Sequence, residues 1–543
     1  MLVVDAIAHA MKAEGIEILF AYPVNPLIEA AAKLDIRTVI VRQERIGLHM
    51  ADAYSRLSSG DKIGVFCMQH GPGAENAFGG VAQAYSESVP ILVIPAGYPR
   101  RLAHYYPNFN STLNMQHVTK WAEPITMGKA VPEIMRRAFF QLRNGRPGPV
   151  MIEVPLDVMG EDVPDNWVYE PAFSAKSGPN PADVDAAAGV LARAKRPVIY
   201  AGQGVHYAKA WDELKTLAET WNIPVTTSIE GKSAFPEDHP LSLGSGGRAN
   251  PRPVKHYLAE ADVILGIGVS FALTAFGVPM PKDKTIIHAT LDPMDLNKDV
   301  PAQHGLIGDA KLTLAALSTA MQNFDKAPAV ARAGEPEKIT ALREAWMSEW
   351  LPKLTNNEAP INPYRVVAEL DRLVDKDNVV ITHDAGSPRD QTTPFWTATT
   401  PLSYIGWGKT TQLGYGLGLA MGAKLAAPEK LCINVWGDAA IGFTGMDFET
   451  AVRENIPILS ILFNNFSMAI ELPIMQVSTE KYRSTDISGN YADMAKAFGG
   501  YGERVTDPNE IVAALQRGIE ATRNGQAALL EFITDQEITI SNE

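Results

Sequence analysis

Short runs of β-branched and apolar residues recur along the whole chain, and stretches with apolar side chains at helical spacing separate them. The clearest are TVIVR (38–42), IGVFCM (63–68), PILVIPA (90–96), PVMIEV (149–154), PVIYAG (197–202), DVILGIG (262–268), TIIHATL (285–291), NVVITH (378–383) and LCINVW (431–436). Runs this uniformly apolar suit strands covered on both faces. Alternation with helices is how a parallel sheet obtains that cover, so the pattern predicts α/β domains built on parallel sheets.

Two stretches interrupt the alternation. Residues 161–183, EDVPDNWVYEPAFSAKSGPNPAD, are rich in Pro, Ser and charge, and residues 322–335, QNFDKAPAVARAGE, precede a polar helical segment, EKITALREAWMSEWL. A chain of 543 residues exceeds what one hydrophobic core supports. Cutting at these connectors predicts domains at 1–165, 184–321 and 355–543, each of ordinary size. An internal echo links the outer two. GPGAENAFGGVAQAYSESVPILVIPAG (71–97) and GDAAIGFTGMDFETAVRENIPILSILFN (437–464) both run from a Gly-rich turn through a helical segment into a strand that begins Pro-Ile-Leu. A duplicated domain flanking a different one is the expected architecture.

The formal charge of −14 carries no concentrated basic surface, which argues against nucleic acid or an anionic membrane as partner. No segment has the length and apolarity of a membrane span. The N-terminal MLVVDAIAHAMKAEG has helical spacing with an early Asp5 rather than the pattern of a signal peptide, so a cytoplasmic location is expected. Cys67 and Cys432 each sit in an apolar run and read as buried free thiols.

Chemistry concentrates at two strand ends in the last block. LCINVW delivers Asp438 onto a Gly-bracketed turn, and ILSILF (458–463) delivers Asn464 and Asn465 onto another. Ligands of open α/β sheets collect beyond the carboxyl ends of strands. A carboxylate, an amide oxygen and a backbone carbonyl are hard donors that suit Mg²⁺, which completes its octahedron with phosphate and water. Either residue alone reads as a helix cap or a turn; together they read as a metal site.

The spacing GD-x(25)-NN resembles the thiamin diphosphate motif of the acetohydroxyacid synthase and pyruvate decarboxylase superfamily. The resemblance implies that Asp438, Asn465 and the main chain of Ser467 bind the metal. It extends along the chain through AYPVNP (21–26), IVRQERIGLHMADAYSR (40–56), GPGAEN (71–76), GRPGPVMIEVPLDV (145–158), AKRPVIYAGQGV (194–205) and NPYRVVAEL (362–370). Glu44, which alone reads as a solvated carboxylate at a helix start, matches the acid that hydrogen-bonds N1′ of the cofactor's aminopyrimidine. Pro23 and Asn76 lie in loops matching those around that ring. In VVITHDAGSP (379–388), the turn Ala385, Gly386, Ser387 would present backbone N–H groups to the diphosphate. Leu413, after Gln412, matches the apolar residue that props the two rings into a bent shape. Gly437, Ala439, Ala440, Met468 and Ala469 complete the implied contacts.

Departures from the family pattern narrow the chemistry. Ala439 replaces a Gly of GDG, and Ser467 stands where a Gly is usual. His70, before GPG, replaces a Ser, and Tyr105, Tyr106 and Pro107 lie where a Phe-Gln pair is usual. Glu471 stands at the distance of an acid that pyruvate decarboxylases use near substrate. His70 and Glu471 are the candidate proton relays. Arg100, Arg101 and Lys409 read first as surface charge and second as anchors for a carboxylate or a CoA phosphate. In the middle block GVSF places Ser270 where acetohydroxyacid synthases carry an FAD-binding Arg, so FAD is doubtful and a vacant central domain is expected. AGQGVH (201–206), GIGVSF (266–271) and GYGLGLAMG (414–422) never complete a dinucleotide fingerprint with its distal acid.

The implied activity is thiamin diphosphate- and Mg²⁺-dependent decarboxylation of a 2-oxo acid, with the aldehyde unit released or joined to an aldehyde or ketone acceptor. A lyase for acyl-CoA substrates, of the oxalyl-CoA decarboxylase kind, is the alternative. A catalytically silent cofactor-binding homologue is a further one, and a nicotinamide dehydrogenase ranks last. The resemblance also implies a homodimer or homotetramer in which the first domain of one subunit faces the third domain of another.

Overall fold

The computed structural model describes residues 1–103 and 105–542. Each of its sheets is wholly parallel. The first contains β1 (Ile18–Ala21), β2 (Arg37–Ile40), β3 (Gly64–Met68), β4 (Ile91–Gly97), β5 (Trp121–Pro124) and β6 (Val150–Pro155) in spatial order 2-1-3-4-6-5. The central sheet contains β7 (Pro197–Ala201), β8 (Val225–Ser228), β9 (Ser242–Gly246), β10 (Val263–Ile267), β11 (Thr285–Thr290) and β12 (His304–Ile307) in order 12-11-10-7-8-9, a doubly wound nucleotide-fold order. The third contains β13 (Val379–His383), β14 (Tyr404–Ile405), β15 (Leu431–Gly437), β16 (Leu459–Asn464), β17 (Tyr501–Val505) and β18 (Ala528–Ile533) in order 14-13-15-16-18-17.

Renumbered from its own first strand, the third sheet repeats the order of the first. The sequence echo between 71–97 and 437–464 is the third strand-helix-fourth strand unit of each sheet. Both β3 and β4 are buried at every position, as strands covered on both faces must be. In each outer sheet the chain steps from its first strand to one side and then crosses to the other. The crevices so made, between β1 and β3 and between β13 and β15, are where such sheets hold ligands.

The outer domains meet through equivalent helices, Glu44–Leu57 between β2 and β3 and Tyr415–Ala426 between β14 and β15. Glycines permit the contact. A methyl group on Gly422 would lie 2.2 Å from the Met50 carbonyl oxygen, and one on Gly418 would lie 2.5 Å from His49 Cβ. Polar groups fix the register. Arg56 pairs with Asp52 at 2.7 Å and donates to the Gly406 carbonyl at 2.9 Å, while Tyr415 donates its hydroxyl to Asp52.

The expected connectors differ slightly from what forms. Residues 181–183 already belong to the helix Pro181–Arg193, because Asn180 caps it, accepting from Ala182 N–H at 2.9 Å, and Pro181 suits the first helical position. The second connector holds the short helix Ala327–Ala331. Cys67 and Cys432 are buried and unpaired. Among the described residues no helix is long and apolar enough to cross a membrane.

Candidate active site

β15 ends at Gly437, and Asp438 opens the helix Asp438–Thr444. β16, its neighbour in the sheet, ends at Asn464. The two strand ends converge on the Asp438 side chain, which is 4% exposed. Its Oδ1 accepts from Ala439 N–H at 2.8 Å, and its Oδ2 accepts from the N–H groups of Asn465 and Ser467, both at 3.2 Å. Phe466, between them, takes a left-handed φ of 57°, which bends the loop back so that both flanking N–H groups reach one oxygen. Asn465 Oδ1 in turn accepts from Ser467 N–H at 3.0 Å. The residues expected to share an ion are therefore in direct contact.

Burial pushes the Asp438 carboxyl up to about 6, and backbone N–H groups of Ala439, Ser467, Asn465 and Phe466 oppose that rise. A buried carboxylate answered by backbone N–H groups, beside an amide oxygen and the Ser467 hydroxyl that makes no hydrogen bond among the described residues, is a fitting seat for a small hard cation. Ala439 is the second residue of an ordinary helix, so the methyl group that departs from the family pattern brings no backbone strain.

Across the crevice, β13 runs into Asp384, Ala385, Gly386 and Ser387. Gly386 has φ 82°, a conformation that only glycine adopts freely, and the helix Ser387–Thr392 follows it. One expectation is corrected here. Ala385 N–H does not face the crevice as a free donor; it donates to Asp384 Oδ1 at 2.8 Å, because the buried carboxylate needs partners. Gly386 and Ser387 remain to present N–H groups. Gln412 donates its side-chain amide to the Gly79 carbonyl of the first domain, and Leu413 packs half-buried against the core shared by the outer domains.

On the first domain, Glu44 opens its helix and is 4% exposed, so the solvated reading is excluded. Burial raises its carboxyl above the ordinary glutamate range, against a hydrogen bond from Asn76 and the N-terminal backbone. Asn25, in the loop with Pro23, donates to the carbonyls of Met68 and Ile94 at 2.9 and 3.1 Å, tying that loop to the end of β3 and the middle of β4. His70 follows β3, its ring against Tyr98 with centroids 4.6 Å apart. Glu471 ends the turn Ala469–Glu471 after the Asn-Asn loop, and its N–H donates to the Met468 carbonyl at 2.9 Å. Met468 donates its N–H to Thr485 at 2.8 Å, and Ala440 is buried.

Arg100 does not stand free for a substrate anion. It holds Asp157 at 2.9 Å and Glu161 as well. Tyr106 is 97% exposed beside exposed Tyr105. Ser270 and Lys409 line a cavity of about 500 Å³ at the strand-end edge of the central sheet, walled also by Gly202, Gly204 and Gly268.

Residues that sequence reasoning passed over include Asp384, Asn25, Asp447, which accepts from Arg42 N–H at 2.8 Å, and Glu531 beneath the Asn-Asn loop. Only Asp384 had a local signal, an acid at a strand end beside a glycine turn.

Comparison with known proteins matches the chain, domain by domain, to one enzyme family. The model described as thiamine pyrophosphate enzyme, N-terminal TPP binding domain matches residues 1–122; the corresponding central-domain model matches 184–317; and the C-terminal TPP binding domain model matches 384–532. A probable acetolactate synthase large subunit of Methanocaldococcus jannaschii is 30% identical over 98% of this chain and 91% of its own length. One of Methanococcus aeolicus is 30% identical over 99% and 92%. The acetolactate synthase isozyme 3 large subunit of Escherichia coli is 27% identical over 98% and 94%. With three domain models matched in order and relatives aligned along nearly its entire length, the chain belongs to the thiamin diphosphate-dependent, acetohydroxyacid synthase-like enzyme superfamily.

Proposed function

We propose that this protein decarboxylates a 2-oxo acid with thiamin diphosphate and Mg²⁺, then releases the aldehyde unit or joins it to a second carbonyl, as the names of its acetolactate synthase relatives suggest. The observation that carries this reading is the Asp438 carboxylate, which gathers the Asn465 and Ser467 N–H groups at the mouth of the β13–β15 crevice. Asp438, the Asn465 side chain and the Ser467 carbonyl would hold the cation, and Gly386 and Ser387 the diphosphate. Thiamin diphosphate, when bound, supplies the sink for the electron pair left by departing carbon dioxide. Glu44, whose carboxyl burial raises above the ordinary glutamate range, would share a proton with the ring nitrogen N1′. His70 and Glu471 would be the groups that move a proton at the substrate.

The reading takes the domains as 1–165, 184–321 and 355–543. It takes the working unit as a cytoplasmic homodimer or homotetramer with shared sites. Exposed Phe443, Met446, Phe466, Met468 and Ile474 beside the Asn-Asn loop support an apolar partner face. The ion pairs of Arg100 give no support to the acyl-CoA alternative.

Dialysis against a chelator, followed by addition of thiamin diphosphate with and without Mg²⁺, tests the reading. Carbon dioxide release across 2-oxo acids, with and without aldehyde acceptors, should return only with both additions. Release that is indifferent to thiamin diphosphate would sink it.

A further inference from the structure

Asp384 is fully buried, and its carboxylate is shared between two loops. Oδ1 accepts from Ala385 N–H at 2.8 Å and Gly414 N–H at 2.9 Å; Oδ2 accepts from Gly416 N–H at 2.9 Å. Its own N–H donates to the Val435 carbonyl of β15 at 2.7 Å, so the side chain projects from a backbone fixed to the sheet. Gly416 is what admits the carboxylate. A methyl group there would lie 2.9 Å from the His383 carbonyl oxygen and 3.2 Å from Asp384 Oδ2. Gly414 is held from its other side too, its carbonyl accepting from Thr444 Oγ1 at 2.8 Å, at the end of the helix that Asp438 begins.

We propose that Asp384 is a positioning residue that locks the Ala385–Ser387 turn and the Gln412–Gly414 loop at one separation, so that the diphosphate and ring ends of the cofactor are gripped as a unit. The proposal rests on the cofactor reading above and assigns Asp384 no contact with the cofactor itself. Ala385 precedes the residues placed against the diphosphate, and Gly414 follows the leucine placed under the rings. One rigid carboxylate therefore sets the distance between the two grips. Charge-assisted bonds from backbone N–H groups are short and directional, which suits that task. An asparagine cannot replace it. With its one carbonyl oxygen in place of Oδ1 it keeps acceptors for Ala385 and Gly414 N–H only, uncharged, and its amide then meets the Gly416 N–H, donor against donor, which pushes the Gly414–Gly416 segment out of place.

The test is to titrate the metal-free full-length protein with Mg²⁺ and either inorganic diphosphate or thiamin diphosphate, following tryptophan fluorescence. Trp407, stacked on His383 with centroids 5.0 Å apart, lies next to the lock. Leu413→Ala should weaken thiamin diphosphate at least tenfold and leave diphosphate within twofold. Asp384→Asn should weaken thiamin diphosphate at least tenfold and diphosphate at least fivefold. Asp384→Asn matching the wild type within twofold for either ligand overturns the proposal alone. A wild-type protein that binds neither ligand overturns it together with the functional reading. Should Asp384→Asn not fold, hydrogen exchange on the wild type decides. Thiamin diphosphate should slow the amides of Ala385, Gly414 and Gly416 together, and slowing in one loop without the other overturns the lock.

Discussion

Asn464 and Glu531, 67 positions apart in the chain, share a 2.7 Å hydrogen bond beneath the Asn-Asn loop. The Asn464 amide donates, Glu531 Oε1 accepts, and Asn464 Oδ1 accepts in turn from Phe466 N–H at 3.1 Å. Glu531 is fully buried and also receives Arg504 at 2.8 Å and Ala492 N–H at 2.9 Å. Glu531→Gln should loosen the bend at Phe466, shift the neighbouring Asn465 and Ser467, and weaken Mg²⁺ in the ternary complex by about tenfold, the low end of the loss seen when support behind a metal site is removed. Magnesium titration at fixed thiamin diphosphate checks this; an unchanged midpoint refutes it.

Glu44→Gln keeps the shape of the side chain and removes its proton chemistry. Turnover should fall by about 10²–10⁴-fold, while thiamin diphosphate still quenches tryptophan fluorescence at near wild-type concentrations. Carbon dioxide release and quenching, measured on one preparation, separate the two. Full turnover in the variant would remove Glu44 from the mechanism, and a wild type without turnover would favour a silent homologue.

His206 should make the protein acid-sensitive. Its Nδ1 accepts from Trp211 Nε1 at 3.0 Å, and its Nε2 lies 3.1 Å from the Lys232 carbonyl, so the ring is neutral with its proton on Nε2. Burial lowers its pKa to about 4, against the carbonyls of Lys232 and Gly231. An unfolded histidine titrates near 6.5, so between about 6.5 and 4 the unfolded chain binds the extra proton. Stability from this group is complete above about 6.5 and is lost as pH falls toward 4, at up to ~1.4 kcal/mol per pH unit. His206→Gln should flatten the plot of melting temperature against pH in that interval; parallel plots would refute the assignment.

Gly422→Ala should disturb the seam between the outer domains. The new methyl would meet the Met50 carbonyl oxygen at 2.2 Å and Met50 Cα at 2.7 Å, backbone atoms that cannot rotate away. Overpacking of this kind costs roughly 1–3 kcal/mol or more. Gly442→Ala, in a helix with nothing within 4 Å of the added carbon, should instead hold stability or raise it by up to about 1 kcal/mol. Calorimetry on both variants checks the contrast, and equal melting temperatures would refute it.

Much of this protein was readable one segment at a time. The apolar runs predicted parallel strands, and β2, β3, β4, β6, β7, β10, β11, β13 and β15 formed on them. The echo between 71–97 and 437–464 predicted a duplicated domain flanking a different one, and the outer sheets do share one strand order. Asp438 and Asn465 stood out because acids and amides rarely end buried runs without a purpose. These are local signals, set by the two-residue period of a strand, the turn of a helix and the chemistry of a loop.

The tertiary structure alone decided what those elements do to one another. Glu44 reads as a solvated acid until the fold buries it. Ala385 reads as a free donor until Asp384 takes its N–H. Glu531 carries no mark at all until Asn464 arrives beside it, and Gly422 is only the last glycine of a cluster until Met50 presses against it. Each of these depends on the distance between strand ends and helices far apart in the chain. Periodicity reports which face of an element is apolar, whereas that distance is set by the packing of many side chains at once.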